Sequence, residues 1–327
     1  MSTPPTLDEF AAIASFFAPL ADPPVALNLR DDAAVFTPPP GETLVFTKDA
    51  MVEGVHFLPH DPPGLVARKL LRVNLSDLAA MGARPLGYLL AVAVRKSDAA
   101  QWIADFAAGL AEDQKIFSCK LWGGDTVTTP GPVTLSLTAI GAVGEGRALQ
   151  RVGAQAGDLI AMTGSLGDGA LGFAVATGQC PGLQAEAAEY LVGRYRLPTP
   201  RLDVGARLLG VARAAMDISD GLLGDLAHIC AASGVGAVLQ RPDLPLSEAA
   251  RAALAANPDL ENRVFSGDDY ELLFTLPPAK RADLVAISAD TGVPITIIGH
   301  VTAESGVRLV DGEGRTVDMP PKGYTHF

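Results

Sequence analysis

A series of aspartates occupies positions from which side chains could handle phosphate and metal ions. Asp31 and Asp32 precede the apolar run Ala33-Ala34-Val35-Phe36, Asp49 follows the strand-like Leu44-Val45-Phe46-Thr47, and Asp77 lies inside an otherwise apolar helical stretch, 73–81. Asp125 sits in Leu121-Trp122-Gly123-Gly124-Asp125-Thr126, where two glycines would let the backbone turn tightly after a strand. Asp217 and Asp220 flank Ser219 in Met216-Asp217-Ile218-Ser219-Asp220-Gly221, a strand end leading into a helix. Each acid has small or apolar neighbours and hardly any Lys or Arg within helical reach. A partly buried carboxylate without a partner favours protonation, and a cation that neutralises several at once removes that penalty. With no His/Cys cluster, carboxylates plus Ser and Thr hydroxyls point to a hard ion, Mg²⁺ or Mn²⁺, and not to zinc. Mg²⁺ held by a few carboxylates completes its shell with water and substrate phosphates, so a nucleotide is the natural partner. Any one of these acids reads equally well as a cap or turn residue. Asp77 is the hardest to read that way, because Asp is disfavoured in mid-helix. The inference rests on the set.

Other candidates carry competing readings. The Gly-rich loop 163–169 joins a strand to a helix and could present N–H groups to phosphate. It lacks the Lys-Ser/Thr ending of a P-loop and does not match GxGxxG, so a structural turn is the preferred reading. His56 follows a strand and could reach a substrate phosphate from near Asp49, although a lone His is more often structural. Arg147 and Arg151 lie in an inter-domain segment, as solvated charge or as a phosphate clamp. Lys69 and Arg72 share the Asp77 helix but point elsewhere and read as surface. There is no GxSxG elbow and no Cys/His pairing.

The elements that must position these residues alternate. Strands are expected at 43–48, 86–94 and 133–143, with helices at 65–81 and 99–117 between them. Thr6 and Glu9 form a capping-box pattern, and Ser97 or Asp98 caps the second long helix. The basic segment 144–157 interrupts the alternation and marks the boundary of an N-terminal domain, 1–146, from a C-terminal domain, 147–327. Beyond it come a strand at 158–162, helices at 169–177 and 200–211, a strand at 215–218 and a helix at 222–232. A strand at 270–276, a helix at 278–291 and a strand at 295–298 complete the pattern. The fold class is α+β (mixed α/β) in two sequential domains. A chain of 327 residues that is 48% hydrophobic can bury such cores. A net charge of -12 argues against binding nucleic acid through its phosphates. Three scattered cysteines without a CxxC pair fit a reduced compartment. With no secretory signal and no apolar run long enough to span a membrane, a soluble cytoplasmic protein is expected.

The strings Asp31-Asp32-Ala33-Ala34-Val35, Glu53-Gly54-Val55-His56-Phe57, 73–82, Gly123-Gly124-Asp125-Thr126, Asp217-Ile218-Ser219-Asp220-Gly221-Leu222 and Asp269-Tyr270-Glu271-Leu272 resemble those of thiamine-monophosphate kinases. They occur in that family's order over essentially the whole chain, to a Lys322-Gly323-Tyr324 ending. The resemblance implies the fold shared with aminoimidazole ribonucleotide synthetase. In that fold the N-terminal sheet pairs across a homodimer to form a barrel, and ATP lies in a cleft partly built by both subunits. It further implies that Asp32, Asp49, Asp77, Asp125, Asp217 and Asp220 hold several Mg²⁺ ions, with Thr47 assisting. Gly124, Asp125, Arg151 and Ser219 would contact ATP, while His56 and Asp268 would contact thiamine monophosphate. Pro321 stands where an aromatic often packs on the substrate. Other departures are Arg30 for Gly, Lys48 for Thr, and Ser266-Gly267-Asp268 for Gly-Gly-Glu.

The implied reaction is ATP- and Mg²⁺-dependent phosphorylation of thiamine monophosphate to thiamine diphosphate by direct in-line transfer, with Asp49, Asp125 and Asp217 at its centre. Of the superfamily rivals, selenophosphate synthetase would want an early Cys and the hydrogenase-maturation relative a C-terminal one. Neither is present. Aminoimidazole ribonucleotide synthetase fits the motifs less well. A nucleotide-binding regulator without catalysis is the rival from another class, with Lys48 as its sign.

Overall fold

The computed structural model describes residues 9–97 and 99–317. Thr6, Asp98, Pro321 and the 322–324 ending lie outside them. The chain divides into two compact units, one of residues up to Leu78 plus Arg84–Glu145, the other of Ala79–Ala83 and everything from Gly146.

In the first unit two single-turn helices, α1 (Glu9–Ala12) and α2 (Pro23–Ala26), precede β1 (Glu42–Val52), α3 (Pro63–Ala80), β2 (Arg84–Val94), α4 (Ala99–Phe117), β3 (Lys120–Thr128) and β4 (Thr134–Gly144). The strands form a sheet in the order β1-β4-β2-β3. Alternation decides its faces. Val45 and Met51 of β1 are buried with Leu135, Leu137, Tyr88 and Leu90, whereas Phe46 and Leu89 are exposed. On α3, Leu70, Leu71, Leu75 and Leu78 recur at helical spacing and are fully buried.

Two expectations fail here. Lys69 and Arg72 are buried, not surface residues. Arg72 donates to Asp113 of α4 through Nε at 2.6 Å and Nη2 at 3.0 Å, and Arg68 Nε adds a third bond at 2.9 Å. Helix α4 packs against that side of α3 and also reaches the sheet, where Gln114 donates to the Tyr88 hydroxyl at 2.8 Å, and periodicity along one helix cannot reveal such a neighbour. Gly123 and Gly124 do not turn the chain either; they lie inside β3, which pairs parallel with β2. The register shifts between Tyr88 and Leu89, and Trp122 is the extra residue of that bulge. Its ring lies over Gly87, where a Cβ would come within 2.2 Å of it, and stacks on Phe36 with centroids 4.6 Å apart.

The second unit contains β5 (Leu159–Thr163), α5 (Asp168–Ala176), α6 (Ala185–Arg196), α7 (Leu202–Leu208), β6 (Ala214–Asp217), α8 (Leu222–Ser233), β7 (Gly236–Gln240), α9 (Glu248–Ala256), β8 (Leu272–Leu276), α10 (Arg281–Thr291), β9 (Ile295–Thr302) and β10 (Gly306–Val310). Its sheet runs β10-β7-β9-β5-β8-β6 and mixes parallel with antiparallel pairs, so the fold is mixed α/β as expected. Apolar clusters line the sheet, one around Ile160, Met162, Leu222, Leu226 and Leu273, another around Phe274, Leu276, Val204 and Leu208. The helix expected at 200–211 is shorter, because Leu209 turns extended at ψ 117°. The strand expected from 270 starts at Leu272, after left-handed backbone at Asp268 and Tyr270. The pattern does not predict α2, α6, β7, α9 or β10, and the strand expected to end before Gly123 runs on to Thr128 as β3. Among the described residues no helix is long and apolar enough to cross a membrane.

Asp113 is buried and accepts from both arginines, so Asp113→Ala removes the carboxylate that Arg72 and Arg68 share, while Arg68 keeps Glu112 at 2.6 Å. It should lower the unfolding free energy by about 3–5 kcal/mol in urea titrations; a loss under about 1 kcal/mol would show that the pair contributes little.

Candidate functional site

Three of the singled-out residues meet on the helix-covered face of the first sheet. Thr47 Oγ1 donates to Asp77 Oδ2 at 2.5 Å, joining β1 to α3. Two residues on, the Asp49 N–H donates to Asn74 Oδ1 at 3.2 Å, one helical turn from Asp77. Asp49 therefore lies within β1 and does not end it. His56 follows the strand, and its Nδ1 accepts the Val52 N–H at 3.0 Å. Strand alternation puts Lys48 on the opposite face from Thr47 and Asp49, with Thr138 as its neighbour on β4.

Asp125 also belongs to that opposite face. It is registered with Ala91, which pairs with Ser136, which pairs with Ala50, whereas Asp49 pairs with Leu137 in the adjacent row. Asp125 instead looks onto a cavity of about 480 Å³ at the free edge of β3. Asp31, Asp32, Asp125 and Thr126 supply its oxygen atoms, while Phe17, Leu29, Leu121 and Trp122 contribute apolar wall. Gly124 is obligatory here, since a Cβ would meet the Leu90 carbonyl oxygen at 2.0 Å. Asp32 and Asp125 are exposed, so the desolvation penalty expected of these acids does not apply to them.

In the second unit Asp217 is buried at the end of β6, and Ser219 and the exposed Asp220 occupy the turn into α8. One buried carboxylate organises that turn. Asp225 Oδ2 accepts the N–H groups of Ser219 at 3.1 Å, Asp220 at 3.2 Å and Gly221 at 3.1 Å. Burial first, then the Asp220 carboxylate, push the Asp225 acid up to about 7. The neighbouring turn is bound to this one by three backbone bonds, each 2.8 Å: Asp268 N–H to Ser219 O, Tyr270 N–H to Ile218 O, and Ile218 N–H to Glu271 O. Asp268 (φ 66°) and Tyr270 (φ 53°) are both left-handed without being glycine, a strain of about 1–3 kcal/mol each that the surroundings must hold.

The holding groups are buried. Asp269 accepts the N–H groups of Gly167 at 2.8 Å and Gly169 at 3.0 Å. Glu271 is gripped by Arg201 at 2.5 and 2.7 Å, by Arg194 at 2.9 Å and by the Thr163 hydroxyl at 2.6 Å. Loop 163–169 thus spends two of its N–H groups on a carboxylate, which favours the structural reading of that loop. Arg151 is exposed, and its carbonyl accepts Ser233 Oγ at 3.3 Å.

The acids thus form three groups: Thr47 with Asp49 and Asp77, Asp31 and Asp32 with Asp125, and Asp217 with Asp220 and Asp268. Among the described residues no three His, Cys, Asp or Glu side chains stand close enough together to hold a metal. The donors in each group are oxygen alone, and all three cysteines are buried elsewhere, so the chemistry fits a hard cation and not zinc. Composition did not single out Asp225, Arg194 or Arg201. Asp269 and Glu271 were visible only as part of a motif string.

Residues 30–143 match the family of AIR synthase related proteins, N-terminal domain, and residues 155–312 the matching C-terminal domain. The thiamine-monophosphate kinase of Caulobacter vibrioides is 42% identical over 99% of this chain and 92% of its own. The chain belongs to the thiamine-monophosphate kinase family. Among solved structures, the thiamine-monophosphate kinase of Stenotrophomonas maltophilia superposes with a TM-score of 0.81 at 38% identity, covering 92% of this chain and 94% of that one. AaThiL complexed with AMPPCP and TMP superposes with a TM-score of 0.78 at 29% identity, covering 100% and 99%. For a kinase-family chain with these contacts, Gly124→Ala must move β3 away from β2. It should cost about 1–3 kcal/mol of stability in denaturant titrations. An unchanged midpoint would show that the close approach to Leu90 is not needed.

Proposed function

We infer that this chain is an enzyme that transfers the γ-phosphoryl group of ATP to thiamine monophosphate, giving thiamine diphosphate and ADP. The observation that carries this is its relatedness, over nearly its full length, to proteins named for that activity. In the transfer, a terminal phosphate oxygen of thiamine monophosphate bonds to the γ-phosphorus as the bond to the β–γ bridging oxygen breaks, leaving ADP. That attacking oxygen is already deprotonated near neutral pH, so the protein supplies no general base and works by positioning and charge stabilisation.

The residues that would hold Mg²⁺ are Asp32, Asp49, Asp77, Asp125, Asp217 and Asp220, with the Thr47 hydroxyl beside Asp77. Bound Mg²⁺ would neutralise phosphate charge on both substrates. Gly124, Arg151 and Ser219 contact ATP in this reading. The side-chain-free backbone at Gly124 leaves room beside Asp125, and Arg151 is an exposed fork suited to phosphate oxygens. His56 and Asp268 contact thiamine monophosphate, and Pro321, outside the described residues, is assigned to the same substrate. Residues 1–146 bind nucleotide and metal and form the dimer contact, and 147–327 complete the cleft.

The homodimer finds support in the open face of the first sheet. Phe46, Leu89 and Val127 lie there 64%, 41% and 49% exposed, on the same face as Asp125. Apolar residues on an open sheet face call for a cover, and a cover made by a second copy would place a second chain against Asp125. The protein is assigned to the cytoplasm, where ATP and Mg²⁺ are at hand.

A coupled assay with ATP, thiamine monophosphate and Mg²⁺ should detect thiamine diphosphate, and EDTA should abolish it. Asp49→Asn and Asp125→Asn should each lower kcat by about 10²–10³ with the fold intact by circular dichroism. Near-normal turnover in both variants would remove the metal assignment; absence of product from the wild-type chain would remove the reaction.

A further inference from the structure

Asp269 stands out because it is buried, lies between two left-handed residues, and touches neither the cavity nor an exposed acid of the proposed site. Its neighbour Asp268 is the residue assigned above to thiamine monophosphate. The conformation of Asp268 is not one its side chain prefers, since left-handed backbone brings Cβ against the following carbonyl. Three things keep it there. The Asp268 N–H is held by Ser219 O and the Tyr270 N–H by Ile218 O. The Asp269 carboxylate is pinned between Gly167 and Gly169. The Asp269 carbonyl accepts Arg194 Nη2 at 3.2 Å, from the same guanidinium that grips Glu271. Space is closed as well. A Cβ on Gly169 would come within 2.0 Å of the Asp268 carbonyl oxygen, and one on Gly167 within 2.7 Å of Val264. The turn carrying Asp268 is therefore clamped from the far side by loop 163–169.

We propose that Asp269, supported by the Arg194–Glu271–Arg201 cluster, is a positioning residue that aims the Asp268 side chain at the thiamine monophosphate substrate. The inference rests on the assignment of Asp268 to that substrate. It predicts a selective effect. The turn 217–221 keeps its own anchors, the three N–H bonds to Asp225, when Asp269 is altered. ATP contacts made from Ser219 are then spared while the Asp268 turn loosens. Asn at 269 offers one carbonyl oxygen where two N–H groups need acceptors, and turns its amide donors toward the other.

Steady-state kinetics at saturating Mg²⁺ on the wild type, Asp268→Asn, Asp269→Asn and Glu271→Gln, with a melting curve for each, decide the matter. Asp269→Asn should raise KM for thiamine monophosphate about tenfold or more, in parallel with Asp268→Asn, and leave KM for ATP within about twofold. A lower melting temperature alone would not produce that split. If Asp268→Asn raises the thiamine monophosphate KM and neither Asp269→Asn nor Glu271→Gln does, the positioning role is wrong and the substrate contact stands. Should both KM values rise together in Asp269→Asn, the residue is merely structural and the proposal is overturned. If Asp268→Asn leaves the thiamine monophosphate KM unchanged, the assignment of Asp268 falls and takes the inference with it. Where Asp269→Asn does not yield folded protein, Glu271→Gln is judged by the same split.

Discussion

A carboxylate removed from water must find donors, and two in the second unit, Asp225 and Asp269, find them in backbone N–H groups. Leaving a buried polar group unpaired costs about 1–3 kcal/mol, more when it is charged. Asp225 and Asp269 meet the demand with five N–H groups between them, four from turns and one, that of Gly169, from the first turn of α5. The strand pattern explains why this ties one end of the sheet together. β8 runs antiparallel to both β5 and β6, so the C-terminal ends of β5 and β6 lie beside the N-terminal end of β8. The turns 163–169, 217–221 and 266–271 therefore crowd one edge. Gly221 and Gly267 permit it, since a Cβ at either would meet the other loop's backbone within 2.3 Å. Precision in this region comes from chain crossing chain at van der Waals contact, with carboxylates as the pins.

The first unit reaches a similar end by different means. Its sheet is covered on one face by α3, and the Thr47–Asp77 hydrogen bond joins the two layers where both carry oxygen donors. Its other face stays open, and the bulge at Trp122 together with Gly124 brings β3 against β2 so closely that the Asp125 row is set by backbone contact alone. A residue's face, more than its place along the chain, decides which chemistry it can join. Asp49 and Asp125 each lie within a strand of the same sheet, yet the pleat sends them to opposite sides.

Much of the architecture was legible because its residues carry period. Helix α4 begins and ends where its apolar spacing does, and β1, β2, β4, β5, β6 and β9 were found from alternation or β-branched runs. What was missed lacks such a mark. β3 reads as a turn because Gly123 and Gly124 do, and only the nearness of Leu90 explains them. β7 and β10 are five-residue strands, parallel neighbours at one end of the sheet, and their pairing is decided by residues some seventy positions apart. The start of β8 was misplaced because left-handed backbone at Asp268 and Tyr270 is imposed by distant loops. The candidate acids stand out in the sequence as an ordered set of motifs, but burial describes Asp217 and not the exposed Asp32, Asp125 and Asp220. The buried carboxylates that need partners most are Asp225, Asp269 and Glu271, whose partners lie in other turns and helices.

Lys48 shows how far facing can revise a reading of sequence. A lysine beside Asp49 suggests a cation set among the candidate acids. Alternation removes it from that group, since Thr47 and Asp49 face α3 and Lys48 does not. Nor does it pair with Asp125 of its own chain. The two share a face but sit on opposite edge strands, three strand spacings apart, about 14 Å. That exceeds the screening length of about 8 Å at physiological salt. The Lys48 charge therefore leaves the oxygen donor set beside Asp77 intact, and points to the open face of the sheet.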